Sequence, residues 1–525
     1  MNNTLKYFKE ICAIPHGSYN IDKISDYLAD FAHKNGLKYR QDDLKNVIIW
    51  KSASEGYENE PGIILQGHMD MVAVKDEGVE LDLEKDGLIL EEKDGYLYGK
   101  GTSLGGDDGI AVAMALDILT DDSLSHPSLE CIFTVNEEVG MDGAMGIDLS
   151  DINGKYLINI DSEEEGVITT SCAGGVRLLS LLECKRDVKR HGTMYSVEFK
   201  GLKGGHSGTS IHEGRANACI VLGRLLKEFV KKGRTDLAGI YGGEKDNAIP
   251  AYASMLIDTD IATDEFVKLI NDFDKKINEE FKGIEDEIRI FITPVTEEPS
   301  NDTLCIDKTE VIAEILTEIP DGVVKMCSGI DMVETSLNLG VMRLDDEGFK
   351  LDFCLRSSVA KEKEDLKERL GTILAKKGCK LALTGDYPGW EFNPDSKLTK
   401  RFVECYNDQY GQNPVVTGVH AGLECGILIE KKKELDAVSV GPNILNIHTT
   451  REKLDLASVE RTRELVIKVM QIKENYFFLY LLFYYIIKIG KQKSVEGTLL
   501  PVNKNRIFRE VMKCMVNFGR LFRPW

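Results

Sequence analysis

The chain has no surplus of positive charge: 87 Asp and Glu stand against 65 Lys and Arg, a formal net charge of −22. A phosphate backbone needs a basic face, so no nucleic-acid partner is expected. None of the 12 cysteines pair in a C-x-x-C motif, and several, such as Cys131, Cys219 and Cys354, lie in apolar segments. That argues against a structural zinc site and against a disulfide framework, leaving buried free thiols in a reducing compartment. The opening residues Met-Asn-Asn-Thr-Leu-Lys contain no signal-peptide core, and the expected location is cytoplasmic. The apolar run at 476–487 has twelve residues, short of the ~20 that span a bilayer, so no membrane span is expected. The glycine-rich stretch at 99–109 fits neither G-x-G-x-x-G nor G-x-x-x-x-G-K-[ST], and its two aspartates would repel phosphate.

What is present has the composition of an ordinary soluble protein, 42% hydrophobic and 29% charged over 525 residues, enough for about two or three domains. Residues 63–65 read as a buried strand of a parallel sheet, with His68 and Asp70 leaving the same face at its carboxyl end. Apolar strands at 131–135 and 156–160 follow the same design, ending in Asn136-Glu137-Glu138 and in Asp161. Between the strands at 63–65 and 131–135 the glycine-rich stretch opens an Ala-rich helix that reads as amphipathic, with Asp107 and Asp108 at its start. From about 185 longer amphipathic strands alternate with charged helices in two similar α+β halves, and after Pro394 the first style returns and reaches His448. The pattern predicts a discontinuous α/β domain formed by 1–184 and 394–473, an inserted α+β domain at 185–393, and an atypical tail at 474–525, apolar and then basic.

Five residues on these strand ends and loops, His68, Asp107, Glu138, Asp161 and His448, form a donor set of imidazoles and carboxylates suited to two divalent ions with one carboxylate between them. Zinc fits such donors first, with manganese or cobalt as substitutes. Two adjacent ions lower the pKa of a shared water and polarise a carbonyl, the two needs of amide hydrolysis. Of the neighbouring Glu137 and Glu138, one can then bind metal while the other moves the proton.

Six motifs carry a resemblance: His-Met-Asp at 68–70, Gly-Thr-Ser-Leu-Gly-Gly-Asp-Asp-Gly at 101–109, Asn-Glu-Glu-Val-Gly at 136–140, Gly-Gly-His-Ser-Gly at 204–208, His-Ala-Gly-Leu-Glu-Cys-Gly at 420–426 and Gly-Pro-Asn at 441–443. In this order they resemble the aminoacyl-histidine (Xaa-His) dipeptidases of the co-catalytic zinc metallopeptidase superfamily, over roughly residues 1–473. The resemblance implies a zinc-peptidase-like catalytic domain with an inserted lid. It implies that Asp107 bridges two zinc ions, that His68 and Asp161 complete one and that Glu138 and His448 complete the other. It makes Glu137 the general base and then acid, with Asp70 orienting His68. By the same resemblance His206 stabilises the oxyanion, and Asn247 and Arg356 hold the peptide's C-terminal carboxylate; packing near the site is the expected role of His420 and Glu424. A cis peptide is implied after Asp107. Two departures stand out: Asp108 occupies a position where the family has asparagine, and Thr-Thr-Arg-Glu follows His448 in place of Ser-Pro-x-Glu.

The expected activity is therefore metal-dependent hydrolysis of dipeptides with a free N-terminus, with a small peptide as partner and the oligomeric state left open. The rival readings are an N-acyl amino acid deacylase of the same fold and a non-catalytic metal-dependent binding protein. The tail beyond Lys473 falls outside the resemblance, and it reads as an extension that joins no domain. An anionic membrane surface and an added oligomer helix are its other readings.

Overall fold

Runs of β-branched and aliphatic residues build the first sheet. In the computed structural model, which describes residues 3–295 and 302–474, strand Ile63–His68 is buried along its whole length. It lies between Leu129–Thr134 and Tyr156–Asn159, parallel to both. Burial on both faces is why these strands read as continuous apolar runs. Asp436–Ser439 extends the parallel set beside Tyr156–Asn159. Antiparallel Lys38–Gln41 and Val47–Lys51 complete one side of the eight-stranded sheet, Val167–Cys172 and Val415–Val419 the other. The parallel strands all end at one edge, where open α/β sheets take their ligands.

The helix Gly106–Thr120 differs from the amphipathic expectation, because every residue from Gly106 to Leu119 is buried. It packs between strand Ile63–His68 and helix Thr4–Cys12. Small residues make that approach possible: a Cβ added at Gly67 would come within 2.7 Å of the Ala111 Cβ. Its one polar side chain in mid-helix, Asp117, stays buried by accepting hydrogen bonds from Arg463 Nε at 2.6 Å and Thr4 Oγ1 at 2.8 Å. Regular helical dihedrals begin only after Asp107 and Asp108, and the peptide joining those two residues is cis.

The second sheet has nine strands, in the order Arg289–Pro294, Thr193–Lys200, Ala253–Thr259, Thr235–Gly242, Val333–Leu344, Phe349–Ser357, Gly174–Leu182 and Lys380–Tyr387, with Gly322–Met326 added on Val333–Leu344. Its first strand in the chain, Gly174–Leu182, lies ahead of residue 185. The two α+β halves meet within this one sheet, at a seam where Tyr241 and Gly242 pair with Arg343 and Met342. Helices Ala218–Lys232, Thr263–Glu280, Ile306–Glu318 and Ala360–Lys376 lay leucine and phenylalanine side chains against it. Phe266 stacks on both Tyr195 and Phe229 there, adding specific geometry to the area it buries.

The described cysteines are all free, and no helix among the described residues is long and apolar enough to cross a membrane. The apolar run at 476–487 and the basic tail lie outside the described residues.

Candidate metal centre and active site

His68 is the last residue of its strand and is 1% exposed. Its Nδ1 lies 2.9 Å from the Asp70 carbonyl oxygen, a contact that requires the ring to donate there and turns Nε2 towards the acids. Nε2 is 3.1 Å from Asp107 Oδ1 and 3.5 Å from Asp161 Oδ1. The other Asp107 oxygen is 3.1 Å from His448 Nε2, which in turn lies 3.0 Å from Glu138 Oε2. Asp107 thus offers one oxygen to each imidazole.

Ligand atoms about 2.0–2.1 Å from a tetrahedral ion sit about 3.3 Å from one another, and these spacings fall around that value. Glu138 Oε1 and Asp108 Oδ1 are buried with no hydrogen-bond partner, a deficit that a cation removes. Two groups of donor atoms each fit within 4.8 Å: His68, Asp107 and Glu138, and His68, Asp108 and Asp161. The second group brings in Asp108, noted in the sequence only as a departure. The residues present therefore fit bound metal.

Asp70 meets the His68 ring chiefly through its backbone. Its carboxylate is 3.6 Å from Nδ1, and the shorter contact to the ring is the backbone carbonyl. The carboxylate accepts the Ser18 hydroxyl at 2.8 Å and the Glu137 N–H at 3.0 Å, so it holds the turn that presents Glu137. That turn begins at Asn136, whose φ of 55° reverses the chain directly after strand Leu129–Thr134 and brings Glu137 and Glu138 to the sheet edge.

The charges perturb one another strongly. Burial, together with Asp161, Glu424 and Glu138, pushes the Glu137 carboxyl well above the usual range. Burial and the neighbouring Asp107 lift Asp161 to about 7. Hydrogen bonds to Asp107 and Glu138 raise His448 to about 10. Burial opposes ionisation of Asp107, yet the bonds from His448 and His68 hold its carboxyl low. Protons and divalent cations compete for such a site.

Two further carboxylates support the site: Glu424, expected to pack near it, and Glu452, whose support was not legible. Glu452, 2% exposed, accepts the backbone N–H groups of Leu104 at 2.7 Å, Gly105 at 3.1 Å and Gly106 at 2.8 Å. It ties the loop that presents Asp107 to the segment that carries His448. Glu424, fully buried, accepts from Gln66 Nε2 at 2.5 Å and Thr134 Oγ1 at 2.6 Å, and burial lifts it to about 7. The only local signal for either was a glutamate inside a motif.

His206, Asn247 and Arg356 gather in a second group. His206 belongs to a two-stranded ribbon, Gly205–His206 on Ala248–Ile249, and the Asn247 carbonyl accepts the Ser207 N–H at 2.8 Å. The His206 Nδ1 lies 3.3 Å and 3.1 Å from the N–H groups of Gly208 and Thr209. Accepting there leaves Nε2 as the donor of the neutral ring. Burial and the Arg356 charge lower the His206 pKa. Arg356, 6% exposed, donates from Nη1 to Tyr387 Oη at 3.0 Å, while its Nε has no partner and no carboxylate pairs with it among the described residues. His420 lies 2.7 Å from Ser336 Oγ. No hydrogen bond or ion pair among the described residues joins this group directly to the His68 cluster, but the 420–424 loop runs from one to the other.

Residues 64–472 match the model of Peptidase family M20/M25/M40. The cytosol non-specific dipeptidase of Escherichia coli (strain K12) is 33% identical over 458 residues, 86% of this chain and 93% of that protein. The crystal structure of aminoacylhistidine dipeptidase from Vibrio alginolyticus aligns with a TM-score of 0.86 and 32% identity, over 89% of this chain and 96% of that one. Aminopeptidase PepT from Bacillus cereus ATCC 10987, at 15% identity and a TM-score of 0.51 over 89% of this chain and 97% of its own, shares the fold. The α/β architecture expected from the sequence is thus that of known peptidases, and the chain belongs to peptidase family M20/M25/M40.

Proposed function

We propose that this protein is a metallodipeptidase that cleaves dipeptides with a free N-terminus, Xaa-His among them, in the cytoplasm. The observation that carries the reading is the Asp107 carboxylate, with one oxygen 3.1 Å from His68 Nε2 and the other 3.1 Å from His448 Nε2. His68, Asp107 and Asp161 would hold one ion, and Asp107, Glu138 and His448 the other. Zinc suits these donors, with manganese and cobalt as substitutes. When bound, the ions supply Lewis acidity, which acidifies a water and polarises the scissile carbonyl.

Glu137 takes the proton of the attacking water and passes it to the departing amine; its raised pKa suits a group that must hold a proton and release it. Asp70 keeps Glu137 in place through the N–H it accepts. Arg356, whose guanidinium pairs with no acid among the described residues, receives the peptide's terminal carboxylate, helped by Asn247. His206, neutral and donating from Nε2, stabilises the oxyanion. Residues 185–393, the expected lid, thus contribute the residues that read the substrate, Arg356 from the second sheet and His206 and Asn247 from and beside the two-stranded ribbon, while 1–184 and 394–473 contribute the metal donors.

The test is release of amino acids from a panel of dipeptides, one tripeptide and one N-acetyl amino acid by the purified protein, with zinc or manganese and then with a chelator. Chelator-sensitive cleavage of the dipeptides is expected. Cleavage of the acetylated compound alone would move the function to deacylation. Glu137→Gln is expected to lower the rate by about 10²–10⁴-fold at unchanged metal content, and a wild-type rate would remove Glu137 from its role.

A further inference from the structure

Where the chain crosses between the two sheets, a cavity of about 280 Å³ opens beside Trp390. Its wall includes Ser358 and Ala360, the start of helix Ala360–Lys376. That helix has Val359 as its N-cap and no side-chain cap, and among the described residues the N–H groups of Ala360, Lys361 and Glu362 donate to no protein acceptor. An uncapped helix start offers N–H groups and a partial positive charge to an anion.

A second feature points to a ligand there. Ser358 is 2% exposed, and its hydroxyl has no hydrogen-bond partner. Thr399, from the facing helix Lys397–Tyr410, lines the same cavity with a buried hydroxyl that also has none. Buried hydroxyls without partners are uncommon, because the lost hydration is not recovered.

The rest of the lining narrows the chemistry. Trp390 and Leu435 give an apolar wall, and Glu391 brings an acid that pairs with no cation among the described residues. Glu430 and Lys433 neutralise each other at 2.5 Å, and Asp436 is engaged by Ser396 Oγ and the N–H groups of Lys397 and Leu398. A polyanion would meet these acids unfavourably. A carboxylate at the helix start, an ammonium on the side of Glu391 and an apolar side chain against Trp390 and Leu435 suit this lining, and the volume suits a small molecule.

We infer that this cavity is a second binding site, separate from the metal donors, for a free α-amino acid with an apolar side chain. The inference does not depend on the reaction catalysed. Free amino acids are also what a dipeptidase releases, so under the proposed function the site takes molecules of product chemistry.

The test is calorimetric titration of L-leucine into the full-length, metal-loaded protein. Saturable binding on the order of 1 mM is expected, at least tenfold weaker in Ala360→Glu, which sets a competing carboxylate before the helix N–H groups. Dipeptide hydrolysis and the melting temperature should not change in that variant. L-Leucinamide, without the carboxylate, should not bind, and 4-methylpentanoate, without the ammonium, should bind more weakly than L-leucine. Ser358→Ala, which removes only the unpartnered hydroxyl, gives an independent reading and should also bind L-leucine more weakly at an unchanged melting temperature. Equal affinity of the wild type and both variants would assign the leucine to the active site and overturn the inference. Absence of binding, or displacement by an equal concentration of inorganic phosphate, would overturn it as well. Failure of all hydrolysis would undo the proposed function and leave this binding result standing.

Discussion

Around Asp107 the carboxylates of Glu137, Glu138, Asp108 and Asp161 crowd two histidines, whereas around Arg356 a buried guanidinium and the imidazoles of His206 and His420 stand with no acid paired to the arginine. In the first region burial and mutual repulsion push carboxyls up, Asp161 to about 7. In the second, burial and the neighbouring cation push imidazoles down, His420 to about 3. The physical cause is the same in both, loss of water around a charged form beside like charge. The sign is opposite, and so is the ligand that relieves it. A surplus of buried negative charge calls for metal ions, and a buried guanidinium with no paired acid calls for a carboxylate. One molecule with a carboxylate end and an amide bond, placed against bound metal, answers both.

The sharpest way to break this comparison is to remove its acidic centre. Asp107→Asn takes away the carboxylate shared by His68 and His448. Metal content after dialysis should fall towards zero and kcat/KM should drop by at least about 10³-fold. Normal metal content with normal turnover would show that Asp107 joins nothing.

The cationic side is tested next. Arg356→Ala should lower kcat/KM for dipeptides by about 30-fold or more, because truncating one partner of a buried charge pair costs about 2–5 kcal/mol. Most of the loss should lie in KM. Dipeptide amides, which lack the terminal carboxylate, should be cleaved equally by wild type and variant. An equal loss on both substrates would make Arg356 a structural residue.

Much of the acidic region was legible in the sequence, and the reason is geometric. Parallel strands buried on both faces appear as short apolar runs, and the residues just after 63–65, 131–135 and 156–160 stand at one edge whatever the rest of the fold does. One support of that edge, Glu452, was not legible. Glu452 reaches Leu104 across 348 positions, and a lone glutamate has no period or spacing that announces three accepted N–H groups. The helix Gly106–Thr120, expected as amphipathic, is buried instead, and Asp117 within it is held by Arg463, which the local sequence does not announce. Strand Gly174–Leu182 was missed because it opens with two glycines, which lower strand propensity and here allow close backbone approach: a Cβ at Gly174 would lie 2.4 Å from the Gly389 nitrogen.

Glu452 offers a milder perturbation of the acidic side alone. Glu452→Gln keeps the shape but weakens the acceptor of the N–H groups of Leu104, Gly105 and Gly106. Metal affinity should fall by about tenfold, as for partners that orient ligands without binding the ion. The Arg356 contrast between dipeptides and their amides should be untouched. If metal affinity stays at the wild-type value, the Asp107 loop holds its shape without help from the His448 segment.

The smallest effect tests whether the second region is cationic in the way described. His420 titrates at about 3 in the folded protein, against an ordinary value of 6.5, because of burial first and then the Arg356 charge. Between those pH values the unfolded chain binds a proton that the folded chain does not. The neutral ring therefore contributes stability above pH 6.5, and that contribution is lost as the pH falls towards 3. In urea unfolding at pH 7, 6 and 5, His420→Gln should lose less stability on acidification than the wild type, by at most about 1.4 kcal/mol per pH unit. In an Arg356→Ala background the difference between His and Gln at position 420 should shrink, since one of its two main causes is gone. If the pH slopes of His420→Gln and wild type coincide, His420 takes up its proton in the folded protein as readily as in the unfolded chain, and the contrast between an acid-rich and an acid-poor region fails at its cationic end.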